Sequence, residues 1–403
     1  MEKLISSILE QLTLDEKIFL THGSSCMGVG PIERLGIQEL LMADGPQGIR
    51  LEDGRTTTAL PCGMALAASF DEKQAEKYGT VIAREALANG IQVSLGPAFN
   101  MMRTPMNGRN FEYYGEDPVL AGKIASGYIR GCQSEKVAAT PKHLALNNQE
   151  ICRCISSSNC DERTLRELYL RAFEIVVQVS AQPAPSGFES DSVVCSSTNR
   201  NNGRTAWDAK DEIILGEAVP GGRLPFSWAE KLEDYPCHAN GSYPGDRSDA
   251  SAHTDYLEGM YIGYRHFDRS GVKPVFPFGF GLGYGKPVKM RLKECRKTQD
   301  CGAEIAIELS NPNNTEMTAV PQLYIGDEKC SLDRPVKELA AFASVTLQAN
   351  EEREIVLQVG RRCFSFYDPK QRKFCLEPGE FKLYLGTNAQ NIVDSTTIVQ
   401  SRR

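Results

Sequence analysis

The sequence lacks the features that mark membrane, secreted and nucleic-acid-binding proteins. Its 403 residues contain no apolar run of roughly 18 residues, and the amphipathic, acidic start has no apolar core or cleavage site of a secretory signal. A net charge of −7 leaves no basic excess to neutralise phosphates. We therefore expect a cytoplasmic protein whose partners include neither membranes nor nucleic acid.

The sequence also lacks the short motifs of several enzyme classes. It has no G-x-S-x-G elbow, no phosphate-binding loop and no zinc-protease helix. Its 13 cysteines form no CxxC pair, which favours free thiols in a reducing compartment. Cys152, Cys154 and Cys160 with His143 match no common zinc-ligand spacing. We expect no metal and no cofactor.

The N-terminal half alternates short apolar strands with amphipathic helices. Apolar residues recur at helical spacing between Asp71 and Asn89, and Ile91–Leu95 alternates like a strand. A helix at about 118–130 leads to a strand at 137–140, and Asp161 caps a further helix. Such repeated units predict a parallel sheet. If the sheet curls into a (β/α)8 barrel, polar residues that follow its strands line a pocket at one end.

The character of the chain changes near residue 180. Residues 182–187 form a Pro- and Gly-containing linker, and residues 221–285 are rich in Gly, Pro, Tyr and Phe without a long periodic element. From about residue 286, short alternating stretches separated by turns predict a small antiparallel sandwich. The length allows two or three domains.

Several long motifs, in one order, resemble the β-glucosidases of glycoside hydrolase family 3. They are Asp44–Arg50, Gly108–Pro118, Lys142–Glu150, Glu162–Tyr169, Pro220–Trp228, Glu258–Arg265, Phe276–Tyr284 and Arg334–Leu339. The resemblance implies a (β/α)8-type barrel at 1–205, a remnant of an α/β sandwich at 206–285 and a fibronectin type III-like β-sandwich at 286–403. A barrel needs roughly 200–250 residues, so we expect it to be incomplete and its open side to favour self-association.

The resemblance also implies a sugar-binding site. Asp44 would accept hydrogen bonds from sugar hydroxyls, and Lys142 and His143 would donate to the same ring, with Arg109 and Arg153 completing the polar cage. Adjacent strand residues face opposite sides, so an irregular backbone is expected where Lys142 and His143 meet the site.

Each of these residues also has a simpler interpretation. Asp44 in Asp-Gly-Pro suits a turn, and Lys142 suits a solvated strand end. Arg109 suits a salt bridge with Glu112 or Glu116, and His143 a hydrogen-bonded buried histidine. Glu112 and Arg163 suit structural roles at loops and helix ends.

The family's catalytic nucleophile is an Asp in a Ser-Asp-Trp motif, which this sequence does not contain. Retaining glycosidases need two carboxyl groups about 5–5.5 Å apart, one as nucleophile and one as acid/base. The family pattern breaks off after 192–203 and resumes near 211–225, so an internal segment is missing. Asp191 and Glu189 are weak candidates for the two carboxyl groups, and the catalytic residues remain unassigned.

Two functions follow from these observations. The first is an exo-acting retaining β-glycosidase that acts on terminal non-reducing β-D-glucosyl residues of β-glucosides or short oligosaccharides, with β-xylosides as second choice. The Lys142–Glu150 motif disfavours the N-acetylglucosaminidase branch. The alternative is a non-catalytic sugar-binding or structural remnant.

Overall fold

The computed structural model describes residues 2–180, 219–248 and 252–401. Within these ranges the helices are α1 Glu2–Gln11, α2 Leu14–Phe19, α3 Gly63–Ala67, α4 Glu72–Ala88, α5 Pro118–Ser134, α6 Glu162–Thr164, α7 Arg171–Ser180, α8 Pro236–Ala239 and α9 Tyr264–Ser270. The strands before residue 286 are β1 Gly28–Val29, β2 Leu40–Ala43, β3 Val93–Ser94, β4 Ala138–Ala139, β5 Ser157–Asn159 and β6 His253–Asp255. The later strands are β7 Lys289–Lys297, β8 Ala303–Ser310, β9 Met317–Ala319, β10 Gln322–Gly326, β11 Glu338–Phe342, β12 Val345–Leu347, β13 Glu352–Val359, β14 Phe366–Asp368, β15 Lys373–Cys375, β16 Gly379–Gly386 and β17 Ile392–Gln400.

The N-terminal part is built around a four-stranded sheet in the order β1-β2-β3-β4. Strands β2, β3 and β4 run parallel, and β1 pairs with β2 in the antiparallel direction. Helix α4 connects β2 to β3, and α5 connects β3 to β4, which confirms the predicted β/α alternation. Within the described residues the sheet does not close into a barrel.

Local sequence explains where the two long helices begin. The Asp71 carboxylate accepts hydrogen bonds from the first free backbone N–H groups of α4, and Asp117 does the same for α5. Pro118 occupies the first position of α5, where its missing N–H costs nothing. The helix predicted after Asp161 is present, but a π-helical turn at Leu165–Tyr169 interrupts it before α7.

Residues 219–248 and 252–285 contain only short elements, as their composition predicts, and dock onto the N-terminal part through buried polar contacts. The buried Glu116 carboxylate accepts hydrogen bonds from the backbone N–H groups of Ser227 and Tyr264 and from the Ser227 hydroxyl. The buried Arg103 guanidinium pairs with Glu258. These contacts attach the segment to the loop that precedes α5.

The C-terminal part is the antiparallel sandwich expected from its alternating stretches. One sheet has the order β11-β10-β16-β17 and another the order β13-β8-β7. Side chains of β8 alternate between buried and partly exposed positions, and its buried residues pack against those of β10 and β16. In the described part of the chain, no helix is long and apolar enough to cross a membrane.

Candidate functional site

A cavity of about 780 Å³ lies beyond the ends of strands β2 and β4. We call it the β2–β4 cavity. Asp44 follows β2 directly, and Lys142 follows β4 by three residues. The lining residues are Asp44, Gly45, Pro46, Gln47, Gly48, Ile49, Arg50, Thr57, Thr58, Ala59, Arg109, Phe111, Glu112, Lys142, His143 and Arg153. The five side chains that the resemblance nominates for sugar binding therefore share one cavity.

Asp44 is held in its ionised form by the cations around it. Its Oδ1 lies 2.5 Å from Lys142 Nζ, and its Oδ2 lies 3.3 Å from a terminal nitrogen of the more exposed Arg50. Burial opposes ionisation, but the hydrogen bond from Lys142, the Gly45 backbone N–H and both cations together lower the pKa of Asp44. A carboxylate with remaining acceptor capacity thus faces the cavity.

The chain is irregular where Lys142 and His143 enter the cavity. Strand β4 ends at Ala139, and the Lys142–His143 peptide bond is cis. Both side chains line the cavity. The irregular backbone expected from the strand geometry is present here.

His143 is fixed by Asn100 and carries no charge near neutral pH. The Asn100 side chain accepts from the His143 backbone N–H at 2.9 Å and donates to the His143 carbonyl at 2.8 Å. His143 Nδ1 lies 3.2 Å from Asn100 Oδ1. Burial and the nearby Arg109 and Lys142 cations lower the pKa of His143 to about 4. A neutral imidazole keeps one donor and one acceptor nitrogen.

The two arginines of the site are both paired. Arg109 binds the Glu112 carboxylate, which is the salt bridge that its simpler interpretation predicts. Arg153 lies 3.0 Å from Glu150 and is about half exposed. Either arginine still has free N–H groups, because a guanidinium carries five donors. Arg163 on α6 pairs with Glu167 in the π-helical turn, so it stabilises this helix and does not line the cavity.

Sequence reasoning missed two residues that shape the site, Asn100 and Tyr113. The Tyr113 hydroxyl lies 3.5 Å from His143 Nδ1, and Asn147 contacts the same hydroxyl at 3.0 Å. Tyr113 belongs to the Gly108–Pro118 motif, so the signal was present. Asn100 lies in the loop after β3, where a barrel interpretation already places pocket residues.

The carboxylates that line the cavity among the described residues are Asp44 and Glu112, and each is bound to a cation. The cavity can therefore hold hydroxyl groups through several donors and one ionised acceptor. Asp191 and Glu189, the weak catalytic candidates, lie outside the described residues.

Comparison with known proteins gives two family matches. Residues 29–184 match the glycosyl hydrolase family 3 N terminal domain, and residues 319–389 match the fibronectin type III-like domain. A β-glucosidase of Rhizobium radiobacter is 40% identical over 204 residues, which cover 50% of this chain and 24% of that protein. A solved structure of β-glucosidase 3B from Thermotoga neapolitana, in complex with α-D-glucose, has a TM-score of 0.83 at 19% identity and covers 98% of each chain.

A further relative shows how many aligned positions have no counterpart in this chain. A β-glucosidase of Bacteroides ovatus is 23% identical over an alignment of 704 positions that covers 98% of this chain and 93% of the relative. A chain of 403 residues leaves at least 301 of those 704 positions without a counterpart. Because the alignment reaches nearly the whole of both proteins, most of these positions lie inside the chain rather than beyond its ends.

Proposed function

Because this chain belongs to glycoside hydrolase family 3, we propose that its β2–β4 cavity binds the terminal non-reducing β-D-glucosyl residue of a β-glucoside. The chain is of the β-glucosidase type, but in our proposal it holds the sugar without hydrolysing it. The observation that carries the proposal is the meeting of Asp44, Lys142 and His143 in one cavity, with Arg109 and Arg153 on its wall.

The contacts suit a pyranose ring. Asp44 is ionised, and its pair with Lys142 uses only part of the acceptor capacity of a carboxylate. Asp44 can therefore accept hydrogen bonds from two vicinal hydroxyls while Lys142 donates to one of them. His143 adds a neutral donor or acceptor, since its pKa is low. Each hydroxyl contact replaces a contact with water and gains only about 0.5–1.5 kcal/mol. We therefore expect millimolar affinity for glucose.

The absence of hydrolysis follows from the carboxyl groups. A retaining mechanism needs one carboxylate below the anomeric carbon and a second carboxyl about 5–5.5 Å away to protonate the leaving oxygen. Asp44 and Glu112 are bound to Lys142 and Arg109, and Asp44 is needed for the ring hydroxyls. The Ser-Asp-Trp motif that carries the family's nucleophile is missing from the sequence. Retaining hydrolysis through Asp191 and Glu189 is the competing function.

An NMR titration with glucose tests the proposal. Resonances of residues around the cavity should shift with a millimolar dissociation constant, and Asp44→Ala should abolish the shifts. The exposed pair Asp53 and Arg55, in the loop that follows, offers a matched control, so Asp53→Ala should bind like the parent chain. Glucose-independent spectra of the folded parent chain would refute the proposal.

A further inference from the structure

A second cavity, of about 360 Å³, lies where residues 219–223 and 280–288 meet the C-terminal sandwich. Its volume falls in the range of about 300–1,000 Å³ that is usual for small-molecule sites. The sandwich contributes strand β9 and the turn between β16 and β17 to the lining. We call it the Arg223 cavity. Its wall includes the cations Arg223 and Lys286 and the apolar residues Leu282, Tyr284, Met290 and Met317.

The Arg223 cavity has positive charge without a matching negative charge. Arg223 and Lys286 line it, and among the described residues no aspartate or glutamate does. Burial lowers the pKa of Arg223, and no carboxylate in the described part of the chain raises it again. A half-buried guanidinium without a carboxylate partner is costly, because buried charges are normally paired. An anionic ligand would supply the partner.

The backbone around Arg223 fixes its guanidinium on one side only. Nη1 donates to the carbonyl oxygens of Gly221 at 3.1 Å and Gly222 at 2.9 Å. Gly281 lies against the same nitrogen, and a methyl group there would come within 2.4 Å of it. These contacts leave the Nε–H and Nη2–H groups without a hydrogen bond to any described residue. Those two groups form an edge that binds a carboxylate through two parallel hydrogen bonds.

The wall beside the cations is apolar. Leu282 is 72% exposed and Tyr284 is 46% exposed, so both keep surface that a ligand can cover. Met290 on β7 and Met317 on β9 add flexible, polarisable side chains that adapt to the shape of a ligand. A cationic end and an apolar wall in one cavity match an organic anion with an apolar body.

We propose that the Arg223 cavity binds a small apolar carboxylic acid, whose carboxylate pairs with Arg223 while its hydrocarbon part covers Leu282 and Tyr284. Lys286 adds a second positive charge that attracts the carboxylate. The inference does not depend on the glucosyl site, since the β2–β4 cavity and the Arg223 cavity share no lining residue. The chain therefore has two sites of different chemistry, one for a sugar and one for an apolar anion.

The test compares benzoate with benzamide, a neutral compound of nearly the same shape, by NMR titration of the full chain. Benzoate should bind about tenfold more tightly, because hydrogen bonds between two charged groups are about twice as strong as neutral ones. The methyl resonances of Met290 and Met317 should shift with benzoate. The sequence contains 10 methionines, so the two signals are assigned by their loss in Met290→Leu and Met317→Leu.

Variants separate the contribution of charge from that of the apolar wall. Arg223→Met should remove the preference for benzoate, and Arg223→Lys should keep part of it, because the charge remains without the paired N–H groups. Leu282→Ala should weaken the binding of both compounds about fivefold without changing their ratio. Arg353→Met, at an arginine on β13 that pairs with Glu351, is the matched control and should bind both compounds like the parent chain.

Equal affinities of benzoate and benzamide in the parent chain would overturn the inference, as would a preference that survives in folded Arg223→Met. Benzoate binding that leaves both methionine signals unshifted would also overturn it. If circular dichroism shows that Arg223→Met is unfolded, Lys286→Met decides: it should weaken benzoate binding about threefold, and unchanged binding would count against the site. Asp44→Ala should bind benzoate like the parent chain, so this site and the glucosyl site are tested separately.

Discussion

At the scale of single residues, the sequence motifs identified the side chains that line the β2–β4 cavity, and the structure shows the contacts between them. The pairing of Asp44 with Lys142 across 98 residues of sequence depends on the alignment of β2 with β4 through β3, which no local pattern encodes. The Arg109–Glu112 pair was predictable, since the two are three residues apart. Asn100 was missed because an isolated asparagine in a loop carries no periodic signal.

Removing the Asp44 carboxylate should affect binding far more than folding. Its pair with Lys142 is partly exposed, and such pairs contribute about 0–1 kcal/mol to stability. We expect Asp44→Ala to leave the free energy of unfolding within about 1 kcal/mol of the parent value while glucose binding disappears. Urea denaturation of the two proteins checks this, and a loss of several kcal/mol would show that Asp44 serves the fold instead.

His143 predicts a specific pH dependence of stability. Its pKa is lowered from an ordinary 6.5 to about 4, so between these pH values the unfolded chain binds a proton that the folded chain does not. The contribution of His143 to the free energy of unfolding is fully present above pH 6.5 and declines as the pH falls toward 4. The decline should be roughly 1–2 kcal/mol, because solvent screens the partly exposed ring.

The variant His143→Gln isolates this effect. Its free energy of unfolding should fall less steeply than that of the parent chain between pH 6.5 and pH 4. His22→Gln, at an exposed position, serves as the control and should follow the parent curve. Parallel curves for His143→Gln and the parent chain would contradict the low pKa of His143.

At the scale of elements, the sequence predicted the helices of the N-terminal part better than its strands. The helix between Asp71 and Asn89 is confirmed as α4, because its caps and its apolar spacing agree. The strands predicted at 91–95 and 137–140 are only two residues long in the structure. Their length depends on hydrogen bonding to neighbouring strands, which the local alternation of apolar and polar residues does not show. The long strands β7 and β17, rich in charged or polar residues, were not predicted.

The close packing of α4 on α5 depends on glycine. A methyl group on Gly131 would overlap the carbonyl oxygen of Glu76 on the facing helix. We expect Gly131→Ala to destabilise the protein by about 1–3 kcal/mol, measured as a lower denaturation midpoint. Gly360→Ala is the matched control, because a methyl there meets open space and its φ is −72°. Equal midpoints for the two variants would show that the helices separate freely.

At the scale of the whole molecule, the resemblance predicted the class of fold, and the four-stranded N-terminal sheet stays open within the residues that the structure describes. The boundaries at 205 and 285 remain predictions, as does self-association. The buried guanidinium of Arg265 forms ion pairs with both the N-terminal part and the C-terminal sandwich. Arg265 lies 2.9 Å from Asp117 at the start of α5 and 3.2 Å from Glu338 on β11.

Removing the ion pairs of Arg265 should lower the free energy of unfolding of the whole protein. Arg265→Met leaves the buried Asp117 carboxylate without its cation, a change that costs about 3–5 kcal/mol, while Glu338 keeps its ion pair with Arg334. Arg269→Met removes an exposed pair with Asp333 and should cost less than about 1 kcal/mol. Thermal unfolding followed by circular dichroism compares the variants. A parent-like transition for Arg265→Met would mean that the two halves are held together by other contacts.

The central claim is that the chain has a glucosyl-binding cavity without the hydrolytic carboxyl pair, and one proton NMR time course with phenyl β-D-glucoside tests both parts. Saturation transfer from the protein to the glucosyl protons reports binding, and the anomeric proton of free glucose reports turnover. We predict saturation transfer that Asp44→Ala removes, and glucose release no faster than in buffer. Release of β-glucose that Asp191→Ala alone abolishes would contradict the account.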